Sequence, residues 1–192
     1  MKLKLSALII TYNQAEYISQ AIDGILMQET NFEFELIIAN DCSPDNTDEI
    51  IRNYIDTHPK ASCIKYFRHP KNIGMMHNFA FALKECKGEY IAICEGDDYW
   101  TDPQKLQKQV DVMEQNPDVV ITYHDACKVD ANRNIIEKGM LSENRKRDFS
   151  ADELKTGIWV LMQSMCVRNV IKEYPKSFYK VYNGDTFYTS LI

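Results

Sequence analysis

Short apolar runs alternate with stripes at helical spacing along most of this chain, and that alternation constrains the fold more than any other feature of the sequence. LSALII (5–10), FELIIA (34–39), CIKYFR (63–68), YIAIC (90–94) and VVITYH (119–124) are rich in β-branched or aromatic residues. Each ends in polar or turn-forming residues, which predicts strands. Between them, Ile18, Ile22, Ile25 and Leu26 repeat at helical spacing, as do Ile50, Ile51, Tyr54 and Ile55, then Met75, Met76, Phe79, Leu83 and Cys86. These read as core-facing stripes of helices. Strand followed by helix, repeated, implies a mostly parallel central sheet with helices on both faces. A chain of 192 residues, 45% hydrophobic, supplies one sizeable core and is short for two.

A fourth helix is predicted in TDPQKLQKQVDVMEQNP, where Thr101 or Asp102 caps, Pro103 suits the first turn, and Leu106, Val110 and Met113 form one stripe before Asn116 and Pro117 end it. Beyond residue 124 the alternation blurs into a hairpin around DANRN, a charged stretch ENRKRD and an apolar strand IWVLMQSMCV (158–167). No internal repeat, low-complexity tract or linker interrupts the chain.

Composition excludes several classes of function. Lys and Arg total 22 against 28 Asp and Glu, a net charge of −6, so nothing supplies the broad basic face that a nucleic-acid binder needs. Six cysteines without a C-x-x-C pair suggest neither a zinc site nor a disulfide framework, and fit a reducing cytoplasm. The amino-terminal MKLKLSALIITYN has too brief an apolar run for a signal peptide and reads as a first strand. No apolar segment approaches the ~20 residues of a bilayer-spanning helix, so any membrane contact is expected to be peripheral. Arg145, Lys146 and Arg147 are the candidates for it, with a solvated loop as the alternative.

Polar clusters follow three of the predicted strands: TYN, NDCSPDNT and EGDDYW. The carboxyl edge of an open α/β sheet is where ligands bind, so these clusters are expected to meet. Asn13 reads as a helix cap, and Ser43, Asp45 and Thr47 as a turn and cap. Asp41 and the group Glu95, Asp97 and Asp98 are different, because capping uses one carboxylate at a time whereas converging ones demand a cation. With only carboxylates as ligands that ion is hard, Mg²⁺ or Mn²⁺, and such an ion completes its shell with substrate phosphates. A nucleotide diphosphate is therefore expected.

The stretches ALIITYNQAEYISQAIDGILMQ, ELIIANDCSPDNT and NIGMMHNFAFALKECKGEYIAICEGDDYWTDPQKLQKQV resemble the successive motifs of the inverting family 2 glycosyltransferases of the GT-A fold. The resemblance covers about residues 3 to 125 and continues more thinly to the end. It implies metal-dependent transfer of a sugar from a nucleotide sugar, commonly UDP-linked, to a hydroxyl of a saccharide or lipid-linked saccharide in polysaccharide synthesis. Such an enzyme would work in the cytoplasm or on the inner face of the membrane. Position by position, Thr11 and Tyr12 would line the nucleotide pocket, Asp41 would accept from the base, and Asn72 and Gly74 would approach base or phosphates. Glu95 and Asp97 match the D-x-D positions and Asp98 extends them, with Asp97 and Asp98 jointly holding the metal. In YNGDTFYTSLI, Asp185 matches the family's general base. Residues 1–125 would form the nucleotide-sugar half of a single domain and 126–192 an incomplete acceptor half.

Four positions depart from the family's habit: Asn40 stands where aspartate is usual, Cys42 where glycine is frequent, Glu95 for the first aspartate, and Gly184 where an acidic residue is common. Members usually continue past the point corresponding to Ile192, so a truncated member is expected. The alternative of another class is a catalytically silent nucleotide-sugar-binding module. A phospho-receiver domain, also α/β with an acidic Mg²⁺ pocket, is disfavoured because the positions after the first and third strands read TYN and HPKN.

Overall fold

A computed structural model describes residues 3–192. The predicted alternation is present: β1 (Leu5–Thr11), α1 (Ile18–Leu26), β2 (Phe34–Asn40), α2 (Thr47–Thr57), β3 (Ile64–Arg68), α3 (Met75–Glu85), β4 (Tyr90–Glu95) and α4 (Lys105–Gln115). Then follow β5 (Ile121–Thr122), the hairpin β6 (Cys127–Val129) and β7 (Ile135–Lys138), α5 (Ala151–Lys155), β8 (Cys166–Arg168) and α6 (Gly184–Thr189). The central sheet runs β3-β2-β1-β4-β8-β5. Its first four strands are parallel, and β8 lies antiparallel between β4 and β5.

Both sheet faces are covered. Leu5, Ala7 and Ile9 of β1 face α1, α2 and α4 through Ile18, Ile22, Ile25, Ile51, Leu106 and Val110. Leu8, with Ile37, Ile91 and Ile93 of the neighbouring strands, faces α3, Phe178 and Tyr188 on the other side. Burial on two faces explains why these strands read as near-continuous apolar runs rather than alternating ones.

Two predicted strands are largely something else. The run 119–124 pairs only at Ile121 and Thr122, and the run 158–167 contributes only its end to β8. Val160, Leu161 and Met165 are buried as expected. Residues Met162–Ser164, however, form a 3₁₀ turn, because side chains take the carbonyls a ladder would have used. The Trp100 indole donates to Gln163 O at 2.8 Å and the Gln109 amide donates to Ser164 O at 2.9 Å. The α4 helix also starts later than its sequence signals suggest: Pro103 lies before it, with Asp102 Oδ1 accepting the Gln104 N–H at 2.9 Å. Asn13 caps no helix. It sits at φ +57° in the loop after β1, and α1 begins at Ile18.

The basic stretch is engaged within the fold. The Arg145 guanidinium donates to Trp159 O, Lys146 pairs with Asp125 and Glu143, and Arg147 pairs with Glu153 at 2.6 Å. Asp125 is a turn residue, its Oδ1 accepting the N–H groups of Ala126 and Leu141. Among the described residues no helix is long and apolar enough to cross a membrane.

Gly24 of α1 lets the helix close onto the chain after β4. A Cβ there would lie 2.8 Å from Trp100 N and 2.9 Å from Trp100 O, and backbone atoms cannot swing aside. Gly24→Ala is therefore expected to destabilise the protein by about 1–3 kcal/mol, the scale of an overpacked core. A urea midpoint lowered at unchanged slope would show it, and an unaltered midpoint would contradict this packing.

Candidate functional site

Parallel pairing sets three loops side by side. Thr11 of β1 is level with Asn40 of β2, and Ile10 with Glu95 of β4, so the segments after all three strands leave one edge of the sheet together. The loop after β2 then grips the loop after β1. Ser43 Oγ accepts the Asn13 N–H at 3.0 Å, Thr47 Oγ1 that of Gln14 at 3.2 Å, and Asp45 Oδ2 that of Ala15 at 2.9 Å. Asp45 also accepts from Thr47 within its own turn, at 2.7 Å from the hydroxyl. The turn role expected of these residues is thus present, and a bracing role between loops is added to it.

Asp41 stands apart from the other acids. Its N–H donates to Thr11 O, and its buried carboxylate accepts Ile73 N–H at 2.7 Å through Oδ1 and Gly74 N–H at 2.9 Å through Oδ2. Asn72 Oδ1 accepts from Gly74 N–H as well, at 3.1 Å. Gly74 takes φ +92°, a conformation natural to glycine, and α3 follows at once. The expectation that Asp41 needs a cation is corrected by these bonds: two amides already compensate its charge. It positions the turn that carries Asn72.

Two departures from the family's habit have local causes. Asn40 Oδ1 accepts the Ser43 N–H at 2.8 Å while its amide donates to Tyr66 Oη at 2.9 Å, and Tyr66 in turn donates to Asp48 at 2.6 Å. An ionised aspartate could accept from Ser43 but could not donate to Tyr66. Cys42 adopts φ +61°, the left-handed region that a glycine would enter without strain.

The acidic loop begins where β4 ends. Gly96 N–H donates to Ile10 O at 3.2 Å, holding the loop against β1. A side chain at 96 would meet Gln14 Oε1 at 2.3 Å and Thr11 Oγ1 at 2.9 Å, so a larger residue would have to push these side chains aside. Those same two atoms, Thr11 Oγ1 and Gln14 Oε1, are buried without hydrogen-bond partners, which is uncommon in a folded chain. Tyr12, beside them, is 48% exposed.

Burial first, and then the charges of Asp98, Asp97 and Asp185, push the Glu95 carboxyl up to about 7. Burial and then Asp97 push Asp98 up to about 6. The fold has therefore brought Asp185, from the first turn of α6, to an acid cluster ninety residues earlier in the chain. Glu95 and Asp185 also line one cavity of about 270 Å³ together with Met75, Met76, Met162 and Tyr182. Sequence periodicity placed Met75 in a core stripe. In the fold it is 55% exposed at the mouth of this cavity, and its place directly after Gly74 was the available signal.

Among the described residues, no three His, Cys, Asp or Glu side chains already surround one point. Mg²⁺ and Mn²⁺ do not require that, since one or two carboxylates plus phosphate and water oxygens complete their shells. The all-oxygen pair Asp97 and Asp98, with Asp98 and its neighbour Glu95 raised by burial and then by nearby acids, fits a hard divalent cation.

The sequence model described as "Glycosyl transferase family 2" matches residues 6–174. A protein of Mycobacterium tuberculosis, described only as uncharacterized, is 38% identical over 169 residues, covering 85% of this chain and 46% of the relative. An uncharacterized glycosyltransferase of Nostoc sp. is 33% identical over 157 residues, 81% of this chain and 47% of the relative. The chain thus spans about half the length of the curated relatives it matches. Among solved structures, S. aureus TarS 1–349 in complex with UDP-GlcNAc superposes with a TM-score of 0.67 at 21% identity, over 87% of this chain and 46% of that one. The mannosyltransferase PcManGT from Pyrobaculum calidifontis, in complex with GDP-Man and Mn²⁺, superposes with a TM-score of 0.56 at 22% identity, over 68% of this chain and 36% of that one. At these identities the likeness establishes the GT-A fold.

The crowded acids carry a pH signature. Glu95 and Asp98 have carboxyls raised above their ordinary values, so the fold favours their protonated forms. Their stabilising contribution is complete below about pH 4 and is lost as pH rises through about 6 for Asp98 and about 7 for Glu95. In EDTA, melting temperature is expected to fall between pH 5 and pH 8, and Glu95→Gln should flatten that fall. Parallel pH profiles for parent and variant would refute the assignment.

Proposed function

Because the chain belongs to glycosyl transferase family 2, we propose that it takes part in moving a sugar from a nucleotide diphosphate, most simply UDP, to an acceptor hydroxyl with inversion at the anomeric carbon. One observation above all supports this reading: Asp185 and Glu95 line the same cavity, next to the paired carboxylates of the loop after β4. The neighbours crystallised with UDP-GlcNAc and with GDP-Man and Mn²⁺ support a nucleotide-sugar donor and a divalent metal.

The roles divide as follows. Thr11 and Tyr12 flank the nucleoside, Tyr12 with its exposed side chain. Asp41 keeps lone pairs free beyond the two amides it accepts, and those can receive the imide N–H of uracil, while Asn72 closes the same side of the nucleoside. Glu95 approaches the ribose or the sugar. Asp97 and Asp98 would hold Mn²⁺ or Mg²⁺, and a cation there offsets the charge of the departing diphosphate. Asp185 takes the acceptor proton. Its Oδ1 accepts the Thr186 N–H at 2.7 Å, which fixes the carboxylate and leaves Oδ2 for the incoming hydroxyl. Attack from the Asp185 side, opposite the diphosphate, gives inversion. The acceptor is a saccharide or lipid-linked saccharide of glycan or polysaccharide synthesis, reached in the cytoplasm or at a membrane's inner face.

UDP titrated calorimetrically is expected to bind with Mn²⁺ and to weaken at least about tenfold in EDTA or in Asp98→Asn, because diphosphate and carboxylates otherwise repel in one cleft. Equal affinity with and without metal would remove the cation from the reading. Asp185→Asn keeps the side chain's shape but cannot take a proton, so transfer to acceptor is expected to fall by about 10²–10⁴-fold while UDP affinity stays unchanged. Full transfer in that variant would exclude Asp185 as base. Metal-dependent UDP binding without transfer or donor hydrolysis in the parent would instead mark a silent nucleotide-sugar-binding module.

A further inference from the structure

We infer that Trp159 is a stacking platform for a neutral sugar ring of the acceptor, the apolar C–H face of that ring lying on the indole. The inference rests on the reading that Asp185 takes the acceptor's proton, and it concerns the acceptor side of the site, outside the cavity that receives the donor sugar.

Three observations carry it. The first is place. Gly157 takes φ +81°, and a Cβ there would lie 2.9 Å from Thr186 Cγ2, so the chain at 157 rests on the residue that follows Asp185. Thr189 Oγ1 donates to Ile158 O at 2.9 Å, and Met162 lines the cavity that Asp185 also lines. Trp159 therefore stands on a segment strung between the helix that carries the base and the wall of the base's own cavity. Two residues of chain span at most about 7 Å, so the indole is rooted within a short saccharide's length of Asp185.

The second is exposure combined with fixity. Trp159 is 37% exposed, whereas the other tryptophan, Trp100, is buried. Ile158 and Val160 on either side supply the core contacts of this segment, and packing does not call for the indole. The Arg145 guanidinium stands 5.3 Å from the Trp159 ring centroid and donates to Trp159 O. Arg145 is tethered in turn, its carbonyl accepting the Tyr123 hydroxyl at 2.7 Å. An indole backed in this way is an ordered flat surface before anything binds, so little freedom is lost when a ring lies on it.

The third is charge. Lys146 pairs with Asp125 and Glu143, Arg147 pairs with Glu153, and Arg145 is taken up by the Trp159 carbonyl and ring. Each cation of this loop is already engaged, which disfavours a phosphate or a uronate as the group bound. A neutral pyranose offers what fits: C–H groups for the π face, with its hydroxyls turned to water.

The test titrates cellobiose and observes it by saturation-transfer NMR with the protein, UDP and Mg²⁺, using sorbitol and glucose 6-phosphate as comparison probes. Cellobiose is expected to receive saturation at its ring C–H protons, and sorbitol, which has no ring face, to receive little. Trp159→Ala should weaken cellobiose by about threefold to tenfold, and Trp159→Phe, which keeps an aromatic face, should restore most of that loss. UDP affinity by calorimetry should be alike in all three proteins, and thermal unfolding shows that each is folded. If UDP binds the parent but cellobiose gives no signal, or keeps full affinity in Trp159→Ala, or is bound more weakly than glucose 6-phosphate, the platform is refuted while the nucleotide reading stands. Joint loss of UDP and cellobiose in Trp159→Ala would refute it as well, marking the indole as structural. If UDP with Mg²⁺ does not bind the parent, the nucleotide reading fails and the acceptor role of Trp159 falls with it.

Discussion

The parallel pairing of β1 with β2 on one side and β4 on the other is the constraint from which everything at the site follows. Parallel strands present their carboxyl ends at one edge, and their crossovers return through helices on either face. Hence the loops after residues Thr11, Asn40 and Glu95 must leave together. Once adjacent, they can share hydrogen bonds: Ser43, Asp45 and Thr47 hold the backbone of the first loop, and Gly96 hangs from Ile10 O. Had β4 paired in the opposite sense, the acidic loop would lie at the far end of the sheet from Thr11 and Asp41.

Crowded carboxyls resist being held, so the loop that carries them needs anchors at both ends. At its start, Gly96 admits Thr11 and Gln14 to near contact. At its end, the Trp100 backbone packs on Gly24, and its indole donates to Gln163 O. The Trp100 ring carries the Lys105 ammonium 3.9 Å from its centroid, and that ammonium also donates to Gln109 Oε1 at 2.6 Å. Burial lowers Lys105 to about 8, so this cation holds its charge in the core through a π face and one amide, without a carboxylate partner. Its attraction is directed at the anchor and not at the acids. Glu95, Asp97 and Asp98 make no ion pair among the described residues, and Glu95 and Asp98 are instead shifted toward their protonated forms.

Legibility in the sequence followed the source of each constraint. Runs 5–10, 34–39 and 90–94 became Leu5–Thr11, Phe34–Asn40 and Tyr90–Glu95 because strands buried on both faces advertise themselves by composition alone. The run 158–167 was misread because its carbonyls are taken by Trp100 and Gln109, side chains that composition cannot assign to it. At the site, the acids were visible since they follow strand ends. The occupation of Asp41 by the amides of Ile73 and Gly74 was not, because it depends on a turn thirty residues away. Met75 and Met76 were hidden by their own periodicity: the first turn of a helix fits a core stripe whether or not it opens onto a cavity.

The departures from the family's motifs are better understood as pairs than as single exchanges. Asn40 belongs with Tyr66, which needs an amide donor because its own hydroxyl proton goes to Asp48. Gly184 belongs with Met76, whose sulfur occupies the space that any larger residue at 184 would claim. Each exchange removes a negative charge that the fold would otherwise have to hold near the sheet's carboxyl edge. Glu95 already stands at about 7 with Asp185 among its causes, and an additional carboxylate at 184 would crowd the same cavity further. The loss of an acid at 184 and the gain of a thioether at 76 therefore act in one direction. They leave Glu95 and Asp185 as the two carboxyls of that cavity, set among Met75, Met76, Phe79 and Met162.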